Sequence, residues 1–312
     1  MSSPVFNQPV SEIFFDDYEV ALYIKREDLL HPYVSGNKFR KLKYNLLEAK
    51  KMNHQTLLTF GGAYSNHIHA TAYAGKKNGF KTIGIIRGEE LGGENLEKTL
   101  SQNSTLAFAK AHGMQLFFVT RSDYKCKDTP AFIEKLTQEF GNFYVLPEGG
   151  TNDLAIKGCT EILTAQDSSF SHVCCAVGTS GTVTGIIESS KPHQQIIGFP
   201  VLKENYLGAE ISKKTSATNW HLNRNAHLGG YAKVTPELVN FINSFYKKHR
   251  IPLDPIYTGK LLQGVYNEII QGNFPKKSRI LAIHTGGLQG IAGVNAKLEK
   301  KSLKRINIDY DF

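Results

Sequence analysis

The densest chemistry in the chain is the stretch SGNKFRK, residues 35 to 41, where Gly36 and Asn37 precede Lys38, Arg40 and Lys41. Apolar residues at Phe39, Leu42, Leu46 and Ala49 give the stretch after it a helical period. Ser35 or Asn37 is placed to cap that helix. Lys38 and Lys41 then stand one turn apart in its first turns. The positive end of the helix dipole, with Arg40 and Lys41 nearby, should lower the Lys38 amine below the ordinary lysine range of about 10.4. A partly deprotonated lysine is a nucleophile able to form an imine with a carbonyl compound. The competing reading is one more solvated lysine in a basic run.

A second group suits an anion. Gly178, Thr179, Ser180, Gly181 and Thr182 follow an apolar run and open a second helical stretch. Glycines there let successive N–H groups converge at a helix N-terminus, and the hydroxyls add donors. No Gly-Lys-Ser/Thr follows, and the dinucleotide spacing is missing, so a monophosphate fits best. In GGAYSNHIHA, residues 61 to 70, Ser65, Asn66 and His67 begin a further helix, suited to a carboxylate. His67 and His69 lack a third ligand, and positions i and i+2 of a helix point apart, so a metal is not expected. Tyr231, Tyr257, Thr258 and Thr285 stand near the ends of other elements as possible donors.

These residues need a frame that gathers them. Short apolar runs alternate with helix-like segments: QTLLTFGG, KTIGIIRG, MQLFFVT, NFYVLPEGG, HVCCAVGTSG, QQIIGFPVL and SRILAIHTGG read as strands. Helices are expected at 65–77, 99–113, 130–141, 153–166, 182–190, 236–248 and 259–271. That alternation implies βαβ units and an α/β fold with mostly parallel sheets, covered by helices on both faces. Four of the runs end in Gly with small polar residues, GGAYSN, EGGTN, GTSGT and HTGG. Ligands of open α/β sheets bind beyond such strand ends, which points to one cleft. The turn-rich segment at 147–153 is the best internal boundary.

Composition narrows the function classes. The chain has 312 residues, 41% of them hydrophobic, as in a globular protein of one large or two medium domains. No apolar run approaches the ~20 residues of a membrane helix. The N-terminus carries acids where a secretory signal would carry bases, so a cytoplasmic location is expected. The four cysteines form no CxxC pair and read as reduced thiols. The net charge of +9 is spread along the chain and mixed with acids. It supports attraction for anionic small molecules rather than for nucleic acid or a membrane.

In their order, KREDLLHPYVSGNKFRKLKYNL, GGAYSNH, PEGGTN, the Gly/Ser/Thr loop, LDPIYTGK and HTGG resemble one enzyme family. It is the pyridoxal-phosphate-dependent family of 1-aminocyclopropane-1-carboxylate deaminase and D-cysteine desulfhydrase, which has the tryptophan-synthase-β fold. The resemblance runs from about Lys25 to Gly290. It implies two open, twisted, mostly parallel sheets, with residues 45–150 as a small domain and 1–44 with 151–312 as a discontinuous cofactor-binding domain. It implies that Lys38 bonds to the cofactor aldehyde and later takes the substrate Cα proton. Lys41 and the 178–182 loop would hold the phosphate, and Asn66 the ring hydroxyl. Ser65, with Asn66 and His67, would meet the substrate carboxylate. Tyr231 and Tyr257 would line the substrate pocket, and Thr258 or Thr285 would face the pyridine nitrogen. A homodimer acting on a small amino acid is implied as well.

The two threonines choose within the family. The deaminases resembled carry glutamate and leucine there, and the desulfhydrases carry threonine. A carboxylate beside the ring nitrogen makes a deeper electron sink than a neutral hydroxyl does. Opening a cyclopropane needs that sink; expelling a thiolate needs less. The expected reaction is therefore release of pyruvate, ammonia and hydrogen sulfide from D-cysteine. The alternatives are cyclopropane-acid deamination, amino-acid racemisation or dehydration, and a non-catalytic basic binding protein. Tyr64 and His69 depart from the glutamine and arginine of the better-known desulfhydrases, beside the expected carboxylate site.

Overall fold

The computed structural model describes residues 4–202, 206–224, 229–230 and 232–309. From the N-terminus come β1 (Asn7–Val10), the single-turn α1 (Phe14–Asp17), β2 (Ala21–Lys25) and α2 (Asn37–Lys51). Next are β3 (Thr56–Gly62), α3 (Asn66–Lys77), β4 (Lys81–Arg87), α4 (Leu96–Gln102), α5 (Ser104–Ala111), β5 (Met114–Val119), α6 (Arg121–Lys125), α7 (Pro130–Phe140) and β6 (Tyr144–Leu146). The remainder is α8 (Asp153–Cys159), β7 (His172–Val177), α9 (Gly181–Ser189), β8 (Gln195–Pro200), α10 (Leu207–Ser212), β9 (Trp220–Leu222), α11 (Pro236–His249), α12 (Thr258–Ile270), β10 (Arg279–Ile283) and α13 (Gly290–Glu299).

The strands form two sheets, one of six strands in the order β1-β2-β10-β7-β8-β9 and one of four in the order β5-β4-β3-β6. All pairings are parallel except that of β1 with β2. The mostly parallel α/β architecture expected from the sequence is the one found. Among the described residues no helix is long and apolar enough to cross a membrane.

Side-chain alternation shows how the six-stranded sheet is covered twice. Cys174 and Ala176 of β7 face a core with Leu238 and Ile242 of α11 and Leu261 and Val265 of α12. Val173, Cys175 and Val177 face the opposite core, with Val183 and Ile186 of α9. With a period of two, both sets of an unbroken apolar run are buried, which is why the run reads as HVCCAV without polar interruptions.

Some elements differ from expectation. The helix read across 99–113 breaks at Asn103, whose extended backbone ends α4 and whose side chain accepts from Leu106 N–H to cap α5. The helix expected to run to 166 stops after Cys159. Asp167 lies instead at the end of β2 in the six-stranded sheet, where Lys25 Nζ donates to its Oδ2 at 2.7 Å. The strands β1, β2 and β9 and the helices α1, α6, α10 and α13 lie outside the expected elements. The strands are three to five residues long, too short for a period to declare itself.

Candidate active site

The cleft forms where parallel strands of both sheets end. The loops after β3, β6, β7 and β10 bring GGAYSN, EGGTN, GTSGT and HTGG to one place. Helix α2 enters it with its N-terminus. Neither Ser35 nor Asn37 caps that end. The N-cap is Gly36, at φ 58°, with no side-chain cap. A Cβ on Gly36 would fall 2.0 Å from the Thr285 carbonyl oxygen, so only glycine allows the α2 start to lie against the loop after β10. Asn37 reaches sideways instead, donating from Nδ2 to Thr182 Oγ1 at 2.8 Å. The α2 start is thereby tied to both the HTGG loop and the phosphate-type loop.

Lys38 and Lys41 meet. Both ammonium groups donate to the carbonyl oxygen of Gly149, each at 3.0 Å. Lys41 Nζ also donates to Thr151 Oγ1 at 2.9 Å and to Thr179 Oγ1 at 3.1 Å. Among the described residues no carboxylate forms an ion pair with either lysine. Burial first, and the neighbouring Lys41 second, push the Lys38 amine well below lysine's usual 10.5. The Lys41 amine is lowered too, by burial. The direction expected from the sequence holds for Lys38, but Arg40 has no part in it. Arg40 turns away, donating from Nε and Nη2 to Glu27 and from Nη1 to Glu161.

The loop at 178–182 lies beside this pair. A Cβ on Gly181 would stand 2.9 Å from Thr151 Cγ2 and 3.4 Å from Lys41 Nζ, and one on Gly178 would meet the Tyr257 ring at 2.8 Å. Gly181 opens α9, and Ser180 is its N-cap residue without a side-chain cap. Lys41, Thr151, Thr179 and the α9 N-terminus therefore face one small volume, the geometry an anion takes. Thr151 was not singled out from the sequence, because its place depends on the chain crossing from one sheet to the other after β6.

Ser65 caps α3, its Oγ accepting from the N–H groups of His67 and Ile68 at 3.2 and 3.3 Å. Its hydroxyl hydrogen remains available to a ligand. Asn66, Lys38, Asn37, Ser35, Thr285 and Gln289 line a narrow cleft. Thr285 is on that wall, but Thr258 is not. Thr258 is fully buried, with Oγ1 donating to Asp254 Oδ1 and accepting from Asp254 N–H, both at 2.8 Å. Of the two threonines, Thr285 is the one that faces the cleft.

His67 corrects another expectation. It is buried beneath the Gly149–Gly150 turn rather than on the cleft wall, and a Cβ on Gly150 would lie 2.8 Å from its Cε1. Among the described residues neither ring nitrogen has a partner, and burial, with Lys38 and Lys41 nearby, holds the ring far below the usual 6.5 and neutral. His69 stacks on Phe108 at 3.7 Å and its Nδ1 meets the Tyr33 carbonyl at 3.2 Å. Tyr64 packs on Gly293, with Lys297 over its ring at 4.3 Å. Neither departure residue lines the cleft. Tyr231 lies outside the described residues. Gln289, which donates to Asn66 Oδ1 at 2.8 Å, carried no signal in the sequence.

A family model described as "Pyridoxal-phosphate dependent enzyme" matches residues 2–286. The chain belongs to this family of pyridoxal-phosphate-dependent enzymes. Among its relatives, a putative 1-aminocyclopropane-1-carboxylate deaminase of Thermotoga maritima is 30% identical over 305 residues, covering 91% of this chain and 94% of that protein. A mitochondrial bifunctional D-cysteine desulfhydrase/1-aminocyclopropane-1-carboxylate deaminase of Arabidopsis thaliana is 31% identical, covering 86% of this chain and 73% of that protein. A crystal structure of an ACC deaminase homologue superimposes with a TM-score of 0.76 at 26% identity, covering 96% of this chain and 94% of that one. An O-acetylserine-dependent cystathionine β-synthase from Helicobacter pylori shares the fold, with a TM-score of 0.63 at 16% identity and coverage of 91% and 92%.

The residues present fit pyridoxal phosphate. Two enclosed ammonium groups without a carboxylate partner, beside a helix N-terminus and two threonine hydroxyls, call for an anion. The unpartnered ring nitrogens of His67 mark the same region as one whose polar groups the protein alone does not satisfy.

Proposed function

We propose that the protein is a pyridoxal-phosphate-dependent lyase of small amino acids that converts D-cysteine and water to pyruvate, ammonia and hydrogen sulfide. The observation that carries this reading is the meeting of Lys38 and Lys41 on the Gly149 carbonyl without an acid between them. Thr285 in the cleft favours thiolate expulsion over cyclopropane opening. Lys38 would hold the cofactor through Nζ. Lys41, Thr151, Thr179 and the backbone amides of residues 179–182 would hold its phosphate, Asn66 its ring hydroxyl and Thr285 its ring nitrogen. When bound, the cofactor supplies an electron sink for the charge that develops at the substrate Cα.

The chain's own groups do the rest. Ser65, its oxygen already engaged by two backbone N–H groups, would give its hydrogen to the substrate carboxylate. Lys38 Nζ, whose amine burial and Lys41 hold well below the usual lysine range, is the base that accepts the Cα proton. Tyr257, whose ring lies against Gly178, walls the pocket on the phosphate side. The neutral His67, buried beneath the Gly149–Gly150 turn, does not compete for that proton. A cytoplasmic homodimer goes with this reading, and three buried free thiols suit a reducing compartment. We further propose residues 45–150 as a small domain against a larger one formed by 1–44 and 151–312.

Deamination of the cyclopropane acid is the second reading, and one observation favours it. Asp254 is a buried carboxylate whose Cγ lies 3.5 Å from where a Cβ on Gly287 would stand, close behind the cleft. Keto-acid and sulfide release from D-cysteine, L-cysteine, D-serine and 1-aminocyclopropane-1-carboxylate distinguishes the readings. We expect pyruvate and sulfide in equal amounts from D-cysteine at the highest kcat/KM of the four. Keto acid from the cyclopropane acid alone, or no product from any of them, would overturn this assignment.

A further inference from the structure

We propose that Gln289 is a positioning residue that sets the amide of Asn66, and through it the hydrogen-bond donor offered to the cofactor's ring oxygen. This rests on the reading of the site given above. Gln289 follows the HTGG turn, where Gly286 and Gly287 take φ values of 77° and 96°, and it is the N-cap residue of α13 without capping it by its side chain. Its side chain crosses the cleft instead. Nε2 donates to Oδ1 of Asn66, the first residue of α3, at 2.8 Å. Gln289 follows a strand of the six-stranded sheet and Asn66 follows a strand of the four-stranded one, so the bond joins the two walls.

A carboxamide has one accepting edge and one donating edge. With Oδ1 of Asn66 taken by Gln289, the edge left over is Nδ2. That nitrogen sits where a Cβ on Gly287 would come within 2.6 Å, so the glycine keeps its place open. Among the described residues Nδ2 has no acceptor, while Asn66 lines the cleft with Lys38. Without Gln289 the amide is free to turn and present its oxygen, which would repel an ionised phenolic oxygen instead of stabilising it.

The test uses the full chain and pyridoxal 5'-phosphate as the probe. Cofactor dissociation constants and visible absorption spectra are measured for the wild type, Gln289→Met, Asn66→Ala and the double variant, with melting of the cofactor-free proteins as a control. Gln289→Met keeps the length and removes the donor. It is expected to weaken cofactor binding about 5- to 10-fold and to change the absorption spectrum as Asn66→Ala does, and to add nothing in the Asn66→Ala background. Gln289→Glu keeps the volume. Its ionised carboxylate accepts from Nδ2 and turns Oδ1 into the cleft, so binding falls further than in Gln289→Met. Wild-type affinity and spectrum in either Gln289 variant, or an undiminished Gln289→Met effect in the double variant, would overturn the role of Gln289 alone. A wild type that takes up no pyridoxal phosphate would remove the reading of the site, and this inference with it.

Discussion

Two sets of buried or half-buried cations lie within sixteen residues of each other on the chain, and the fold handles them in opposite ways. Lys25, Arg26 and Arg40 each have a carboxylate: Asp167 at 2.7 Å, Asp28 at 2.8 Å and Glu27 at 2.9 Å. Lys38 and Lys41 have a shared carbonyl, and Lys41 has two hydroxyls besides, with no acid among the described residues. Arg40 stands between them in sequence, yet it faces Glu27 on the other side of α2. The acids were at hand and are directed away from the cleft. A buried cation left without an anion costs stability unless a ligand supplies one, so the unpaired set marks where the ligand's charge belongs. The paired set holds the frame.

That division is open to attack from both sides, and the sharpest cut is at Lys38. Lys38→Ala is expected to lower turnover by about 10^3-fold or more, read as keto-acid release from the cofactor-loaded protein. Turnover near wild type would take Lys38 out of the mechanism.

The paired set should fail differently. Arg40→Ala leaves the Glu27 carboxylate, whose side chain is 0% exposed, without its partner. Urea unfolding should show a loss of about 3–5 kcal/mol, while cofactor affinity stays near wild type. A loss of affinity with little loss of stability would erase the distinction between the two sets.

Lys41→Met tests the anion cup directly. Losing a charge-assisted bond is expected to weaken pyridoxal 5'-phosphate binding about 10- to 100-fold in a spectroscopic titration. Melting of the cofactor-free protein should not fall, since no partner carboxylate is orphaned.

The smallest effect has a telling sign. Lys38→Met should stabilise the cofactor-free protein by about 1–2 kcal/mol, because it removes a half-buried charge that has no carboxylate partner among the described residues. The folded amine lies below 10.5, so between that lowered value and 10.5 the unfolded chain binds more protons than the folded one. Wild-type stability therefore rises with pH across that window, and the advantage of Lys38→Met shrinks across it. Thermal melts of both proteins at several pH values read this out. An advantage that grows with pH would contradict a depressed Lys38 amine.

Much of the fold was legible because buried parallel strands write themselves as unbroken apolar runs, several of them ending in glycine. β3, β4, β5, β7, β8 and β10 were all found that way. β1 and β2 were missed because the N-terminal segment joins the sheet through pairing with β10, a contact far away in sequence. At the site, Lys38, Lys41, Ser65, Asn66 and the 178–182 loop stood in recognisable local contexts. Choosing Thr285 over Thr258 needed the structure, since only the fold shows that Asp254 occupies Thr258. Thr151 and Gln289 matter through partners more than a hundred residues away, Lys41 and Asn66, and no local pattern announces such a pairing.

The central claim is that Lys38 is an amine held ready for a cofactor aldehyde, with Lys41 reserved for its phosphate. Purified protein is incubated with pyridoxal 5'-phosphate, reduced with borohydride, digested and mapped by mass spectrometry. The expected result is a yellow protein, bleached by borohydride, with the reduced cofactor on the peptide carrying Lys38. A protein that stays colourless, or that carries the label on other lysines while Lys38 is unmodified, would contradict it.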